Sequence, residues 1–215
     1  MKSFDFYEFA GVVTPGALVL YTVSLIVPGL APFLVAKEIS VGDLGLFVIL
    51  AYVAGHIVQA IGNLIESVFW KPFGGMPTNW VIRHDQELLN EAQVNKLPDK
   101  VRSLLDIGIN KPITDLSVKE WFPITRQIYA AVAGAERAHR VDTFNRNYGM
   151  FRGIASALLF AAVLNIVTHW PGGWPTSLVL GAAALLALIR MHRFGKHYAR
   201  ELFVQFLQLD SREPG

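Results

Sequence analysis

Five side chains that can hydrogen-bond or titrate, Tyr52, His56, Gln59, Asn63 and Glu66, recur within one largely apolar stretch. At about 100° per residue they fall within a narrow arc of one helix face. Polar and ionisable groups inside a bilayer are costly and turn toward protein or water rather than lipid. The stripe therefore reads in one of two ways. It is a seam of interhelical hydrogen bonds, typically worth under about 1 kcal/mol each, or it lines a pore or sensing cavity. Gly55 and Gly62 in the same stretch allow backbones to approach closely. A second group, Asn145, Tyr148, Arg152 and Ser156, lies near one face where a later apolar stretch begins. The topology derived below brings Glu66 and Arg152 to similar depth, where each charge would otherwise be partly desolvated and unmatched. The two are expected to pair. The alternative is that Arg152 extends its head to lipid phosphate.

Other chemistries find less support. The histidines, His56, His84, His139, His169, His192 and His197, form no metal-ligand cluster with a supporting carboxylate pattern. No metal and no cofactor is expected. A Ser-His-Asp arrangement cannot be argued from spacing, so the chain is not expected to be an enzyme. One exception is the separation of Arg190 from His197 by six residues. That spacing resembles the Arg/His pair of HEPN-type ribonucleases, which would hold a scissile phosphate and assist proton transfer at the 2′-hydroxyl. A basic tail beside an anionic leaflet accounts for the same residues more simply. Gly74-Gly75 lacks the Lys-Ser/Thr helix start of a nucleotide loop. The basic residues of the central segment are mixed with nine acidic ones, so no nucleic-acid partner is expected.

The elements that position these groups follow from where charge is missing. Hydrophobic residues make up 53 % of the 215-residue chain and charged residues 17 %, against about 25 % charged in soluble domains. Cysteine is absent, which excludes disulfides and thiolate metal sites. No charge occurs from Phe9 to Ala36, from Leu44 to Ile65, or from Gly153 to Ile189. A bilayer-crossing helix needs about 20 mostly apolar residues. The first two gaps each supply one span. The third is long enough for two and is divided by Pro171-Gly172-Gly173-Trp174-Pro175, which cannot continue a helix. Its second half, from about Trp174 to Ile189, is short and draws on the apolar stems of Arg190, His192 and Arg193. A soluble core is the rival reading, but apolar helices in such cores usually run about 10–14 residues. The acidic, aromatic start Met1–Glu8 argues against a cleavable signal peptide.

Orientation follows from Lys and Arg placement. Residues 71–152 hold twelve of the nineteen basic side chains and the stretch from Arg190 holds five more. The Lys37–Asp43 turn holds one and the Pro171–Pro175 turn none. Both short turns are therefore expected outside, with Trp170 and Trp174 at the headgroups. The expected architecture is an all-α polytopic membrane protein of four spans, with a helical cytoplasmic insertion between spans 2 and 3. An N-terminal interfacial segment and spans 1 and 2 occupy 1–70, the cytoplasmic domain 71–148, spans 3 and 4 149–193, and a cytoplasmic tail 194–215. Both termini lie in the cytoplasm and the membrane is a bacterial inner membrane. Pro15-Gly16 suits a helix start. Pro28 and Pro32 either bend the outer end of span 1 or reflect the frequency of proline in membrane helices. Within the insertion, Thr78 or Asn79 caps a helix to about Lys96, Pro98-Asp99 begins a short one, and Ser117 to Glu120 has capping-box spacing. A last helix runs past Tyr129 and Phe144 directly into span 3.

Three stretches carry a resemblance: Phe4-x-Phe6-Tyr7-Glu8-Phe9-x-Gly11-x-x-x-Pro15-Gly16, Tyr52-x-x-Gly55-His56 and Asn145-x-x-Tyr148-x-x-x-Arg152. Together they resemble a loose group of uncharacterised bacterial four-span inner-membrane proteins, over the spans more than over the insertion. Such proteins are similar in architecture to membrane subunits of antiphage defence systems, in which a cytoplasmic partner detects infection and the membrane subunit assembles or opens. The resemblance implies a homo-oligomer in contact with membrane lipid, a cytoplasmic protein partner, and a channel-like or membrane-perturbing role. A non-conducting anchor for a cytoplasmic partner is the alternative.

Overall fold

The computed structural model describes residues 6–27, 41–85 and 87–210, and all of its regular structure is helical. Among the described residues six α-helices follow one another: α1 Phe6–Ser24, α2 Val41–Phe69, α3 Glu91–Leu105, α4 Val118–Gly134, α5 His139–Thr168 and α6 Trp174–Leu207. Short 3₁₀ segments cover Lys71–Phe73, Pro77–Ile82 and Ile113–Asp115. The chain forms two compact units. One comprises residues 1–69 and 146–192, the other residues 70–145 and 193–215. Helices α5 and α6 each pass unbroken from one unit to the other.

Three helices, α2, α5 and α6, are long and apolar enough to cross a membrane. The most apolar window of α2 is only 17 % buried, and Ile49, Ile57, Leu64 and Val68 are each more than half exposed. Val163 and Val167 on α5 and Leu178, Val179 and Leu186 on α6 are exposed as well. Water-soluble monomers rarely expose apolar surface this continuous. A hydrocarbon solvent removes the penalty. The apolar part of α1, Gly11–Ser24, is shorter. Phe4, Pro28, Pro32 and the Lys37–Ser40 part of the expected outer turn lie outside the described residues.

Pro15 does not begin α1, contrary to the sequence expectation. It sits inside the helix and is buried. Helix α1 is held by close backbone approach to α2. A Cβ added at Gly16 would lie 1.8 Å from the Ala51 carbonyl oxygen, and one at Gly55 would lie 2.0 Å from that of Val12. Hydrogen here lets the two helices touch backbone to backbone, the small-residue packing on which membrane helices rely. At the other end of this unit, Asn165 on α5 donates through Nδ2 to the Gly173 carbonyl (2.7 Å) and to Ser177 Oγ (3.0 Å). Ser177 Oγ in turn donates to the Ala162 carbonyl (2.8 Å). These bonds fix the corner between α5 and α6.

The second unit has an ordinary apolar core. Leu97 and Val101 of α3, Trp121, Ile128 and Val132 of α4, and Val141 of α5 are fully buried in it. So are Ala199, Leu202, Phe203 and Phe206 of α6, whose i, i+3, i+4, i+7 spacing places them on one helix face. Part of the stretch 194–215, expected as a cytoplasmic tail, therefore belongs to this core. Trp121 stacks near Phe203 at 5.8 Å and donates its indole N–H to the Thr78 carbonyl at 2.8 Å. Arg200 Nε donates to the Leu88 carbonyl and Tyr129 Oη to Asp142 Oδ1.

Local signals decide the helix limits. No helix runs from Thr78 or Asn79 to Lys96. Instead Asn90 and Gln93 form a capping box that starts α3, and Pro98 lies within it. Burial of Leu97 and Val101 on either side offsets the lost backbone bond. The Ser117/Glu120 capping box starts α4. That helix does not run on into α5. It stops in a Schellman motif in which Glu136 adopts φ 57°, Glu136 N–H bonds the Ala133 carbonyl and Arg137 N–H bonds the Val132 carbonyl. Glycine usually occupies that left-handed position, and here Gly134 stands two residues too early to announce it.

Replacing Glu136 with glycine should relieve the left-handed strain and stabilise the protein by about 0.5–1 kcal/mol, read as a raised midpoint of thermal unfolding in detergent. The Glu120 carboxyl is pulled down to about 2 by hydrogen bonds from Lys111 and from the Ser117 backbone and hydroxyl. Because the folded value lies below the unfolded one, this group's contribution is present at neutral pH and is lost as pH falls toward 2. Its titration midpoint, followed by NMR, should rise when Lys111 is replaced by Ala.

Candidate functional site

The polar stripe of α2 divides along its length. The buried positions of the helix are Ala51, Gly55, Val58 and Gly62. On a helical projection, Gln59 and Glu66 lie on the side of the stripe nearer that buried face, while Asn63 and His56 lie about 20–40° beyond Tyr52 on the other side. The structure follows this division. Gln59 and Glu66 are half-buried, whereas Tyr52, His56 and Asn63 are exposed.

The buried half is a continuous network. Gln59 Nε2 donates to the Gly11 carbonyl of α1 (3.2 Å) and the Gly149 carbonyl of α5 (3.3 Å). Its Oε1 accepts from Arg152 Nη2 at 3.1 Å. Arg152 Nη1 donates to Glu66 Oε2, forming an ion pair in which each side chain retains 19 % exposure. The two acceptors for Gln59 have an evident source at one end. Gly11 stands four residues before Pro15, which has no N–H to return to it, so its carbonyl is left for a side chain. Close contact supports the arrangement. A Cβ at Gly153 would fall 2.8 Å from both Gln59 Nε2 and Pro15 Cγ, and one at Gly62 would fall 3.1 Å from Ser156 Oγ.

Arg152 is further fixed by its own helix. Its guanidinium lies 6.0 Å from the buried Tyr148 ring, and its carbonyl accepts from the buried Ser156 hydroxyl at 2.8 Å. Arg152 Nε is buried with no hydrogen-bond partner among the described residues. Such an orphan donor is unfavourable and is retained only where the rest of the group is strongly held. Of the four residues grouped at the start of the third apolar stretch, Tyr148, Arg152 and Ser156 are thus brought together. Asn145 is exposed and belongs to the other unit.

The exposed half is different in kind. Tyr52 and His56 meet edge to face at 4.6 Å, and Phe9 stacks on Tyr52 at 6.0 Å. Neither ring group nor Asn63 makes a hydrogen bond among the described residues. Val53 and Ile57, exposed at 53 % and 60 %, flank them. The arrangement offers an imidazole, a phenol and a carboxamide on an otherwise apolar surface.

Arg190 and His197 are both on α6. The Arg190 guanidinium lies 5.5 Å from the Phe151 ring, and the His197 ring stacks on Phe144 at 5.4 Å. Burial, followed by the charges of Arg200, Arg193 and Lys196, pushes the His197 imidazole below its usual value. Sequence reasoning gave Gly11 only as part of a resemblance and assigned no role to Gly149, Asn165 or Ser177. The proline four residues after Gly11 was a usable signal for the first, and the lone asparagine in an apolar run for Asn165. No protein family, no curated protein and no solved structure matches the chain.

Reversing either charge, Glu66→Lys or Arg152→Glu, should lower stability by about 2–3 kcal/mol. That is less than the loss for a fully dry pair, because both side chains retain some exposure. The double swap should recover part of it, with recovery capped by loss of the Arg152–Gln59 bond. Thermal unfolding and monodispersity in detergent measure this. Single reversals that behave like wild type would show that the pair contributes nothing.

Proposed function

We propose that this protein is a homo-oligomeric, channel-like or membrane-perturbing effector of a bacterial inner membrane, controlled through its second unit. Four spans, which include α1, α2, α5 and α6, cross the bilayer with both termini inside. Residues 71–148 then form a cytoplasmic insertion. The twelve basic residues between 71 and 152 support that orientation.

One observation carries the reading. Tyr52, His56 and Asn63 are exposed and have no hydrogen-bond partner among the described residues, on a helix whose neighbouring exposed residues are apolar. His56 stands near the middle of the charge-free stretch Leu44–Ile65. Hydrocarbon is a poor solvent for an imidazole or a carboxamide, so these groups face water or a second copy of the chain. Four helices of one protomer enclose no wide pore, and an aqueous path requires several copies. The resemblance carried by the sequence motifs supports a role in antiphage defence.

A non-conducting anchor for a cytoplasmic partner is the second reading. It is favoured by the closed Gln59–Arg152–Glu66 network, which faces neighbouring helices and behaves as a structural seam.

Reconstitution in planar bilayers separates the two. The channel reading expects ion flux that falls at least severalfold with His56→Ala, while oligomer mass in nanodiscs is unchanged. No flux from a correctly assembled oligomer would leave the anchor. Loss of function from substitutions in the second unit alone would support it.

A further inference from the structure

We infer that the second unit carries a binding site for a singly charged phosphodiester, of the kind found in an anionic phospholipid headgroup. The inference goes beyond the channel reading and does not depend on it. A cavity of about 530 Å³ opens beside the two 3₁₀ segments that follow α2, walled by Phe73, Gly74, Trp80 and Leu88. Its volume falls within the range of small-molecule sites, about 300–1,000 Å³. Three cations, Lys71, Arg83 and Lys196, line it.

The cations are not equivalent. Arg83 is already engaged. Its Nε and Nη2 bind both oxygens of Asp85, at 2.9 and 2.7 Å, and its Nη1 donates to the Phe73 carbonyl at 2.9 Å. The Asp85 carboxyl is held below its usual range by Arg83. Three of the five Arg83 N–H groups are thus committed, and the residue shapes the wall. It does so only because Gly74, at φ +76°, has no side chain: a Cβ there would lie 2.6 Å from Arg83 Nη1. Trp80 is fixed too, donating its indole N–H to the Gly75 carbonyl at 2.9 Å and meeting Trp70 at 6.0 Å. The N–H groups of Gly74 and Gly75 are spent on the Lys71 and Trp70 carbonyls, so the glycine turn offers no anion nest.

Lys71 and Lys196 remain. Neither is in an ion pair among the described residues, and the Lys196 ammonium lies 5.8 Å from the Trp80 ring. Two ammonium groups outside any ion pair among the described residues line one cavity, and lysine binds phosphate as a point charge. Asp85 and Glu87 also line the cavity, and three basic with two acidic side chains leave one net positive charge. That balance suits a phosphodiester monoanion and disfavours pyrophosphates. Location adds to the case. Lys71 is two residues past the end of α2, and Trp70, Phe73 and Trp80 cluster around it, the residue types that settle at headgroup depth. The same chemistry could be presented by a lipid or by a soluble phosphodiester.

Full-length protein in nanodiscs of phosphatidylcholine, with and without one-fifth phosphatidylglycerol, tests the site by native mass spectrometry of retained lipid. Glycerophosphoglycerol added to protein in uncharged detergent supplies the soluble arm, read by tryptophan fluorescence. The expected result is at least tenfold weaker association for Lys71→Gln/Lys196→Gln. The Lys71→Arg/Lys196→Arg variant should retain it, and Arg126→Gln should be unaffected. Variant-sensitive binding in the nanodisc arm alone assigns a lipid; the same sensitivity with glycerophosphoglycerol assigns a soluble ligand. Equal binding by the glutamine variant with unchanged circular dichroism, or no binding in either arm, overturns the proposal.

Discussion

Proline at position 15 takes one hydrogen-bond donor out of α1, and in apolar surroundings the acceptor left behind cannot turn to water. The Gly11 carbonyl is instead met by Gln59, whose carboxamide also reaches the Gly149 carbonyl and accepts from Arg152. One amide thereby joins α1, α2 and α5, and the Glu66–Arg152 pair continues the chain of bonds. Glycine at 16, 55 and 153 is a condition of this geometry, because any side chain there would drive the helices apart. Packing and hydrogen bonding specify the same arrangement. In lipid, where there is no hydrophobic drive between helices, such agreement between two weak forces must suffice.

Much of the apolar architecture was legible from charge spacing. Stretches free of charge for about 20 residues have few alternatives to a membrane helix, and α2, α5 and α6 are long and apolar enough for that role. Periodicity also placed five polar residues on one arc of α2. It could not show that the edge of the buried face runs through that arc, because the position of the edge depends on where α1 and α5 approach. Gln59 and His56 differ by about 60° around the helix, and that angle separates a bridging residue from an exposed one.

The second unit was harder to read, for identifiable reasons. Pro98 looked like a helix start and proved to be interior, since the stronger signal was the reciprocal cap between Asn90 and Gln93. The break before α5 carries no glycine at its left-handed residue, so Glu136 gave no local sign of it. The last turns of α6 looked like a solvated basic tail because Arg193, Lys196 and Arg200 dominate the composition there. Yet Ala199, Leu202, Phe203 and Phe206, beginning among those charges and running past them, hold a strict helical spacing, and that stripe is part of the core.

Helix α6 is a single rod of 34 residues, about 51 Å long at 1.5 Å per residue. Its first half exposes Leu178, Val179, Leu185 and Leu186, and its last turns are clamped by Phe203 and Phe206. Gly195 lies within it, between those two stretches. One continuous helix thus answers to two solvents, a hydrocarbon-like one along its leucines and a protein interior around its last aromatic rings.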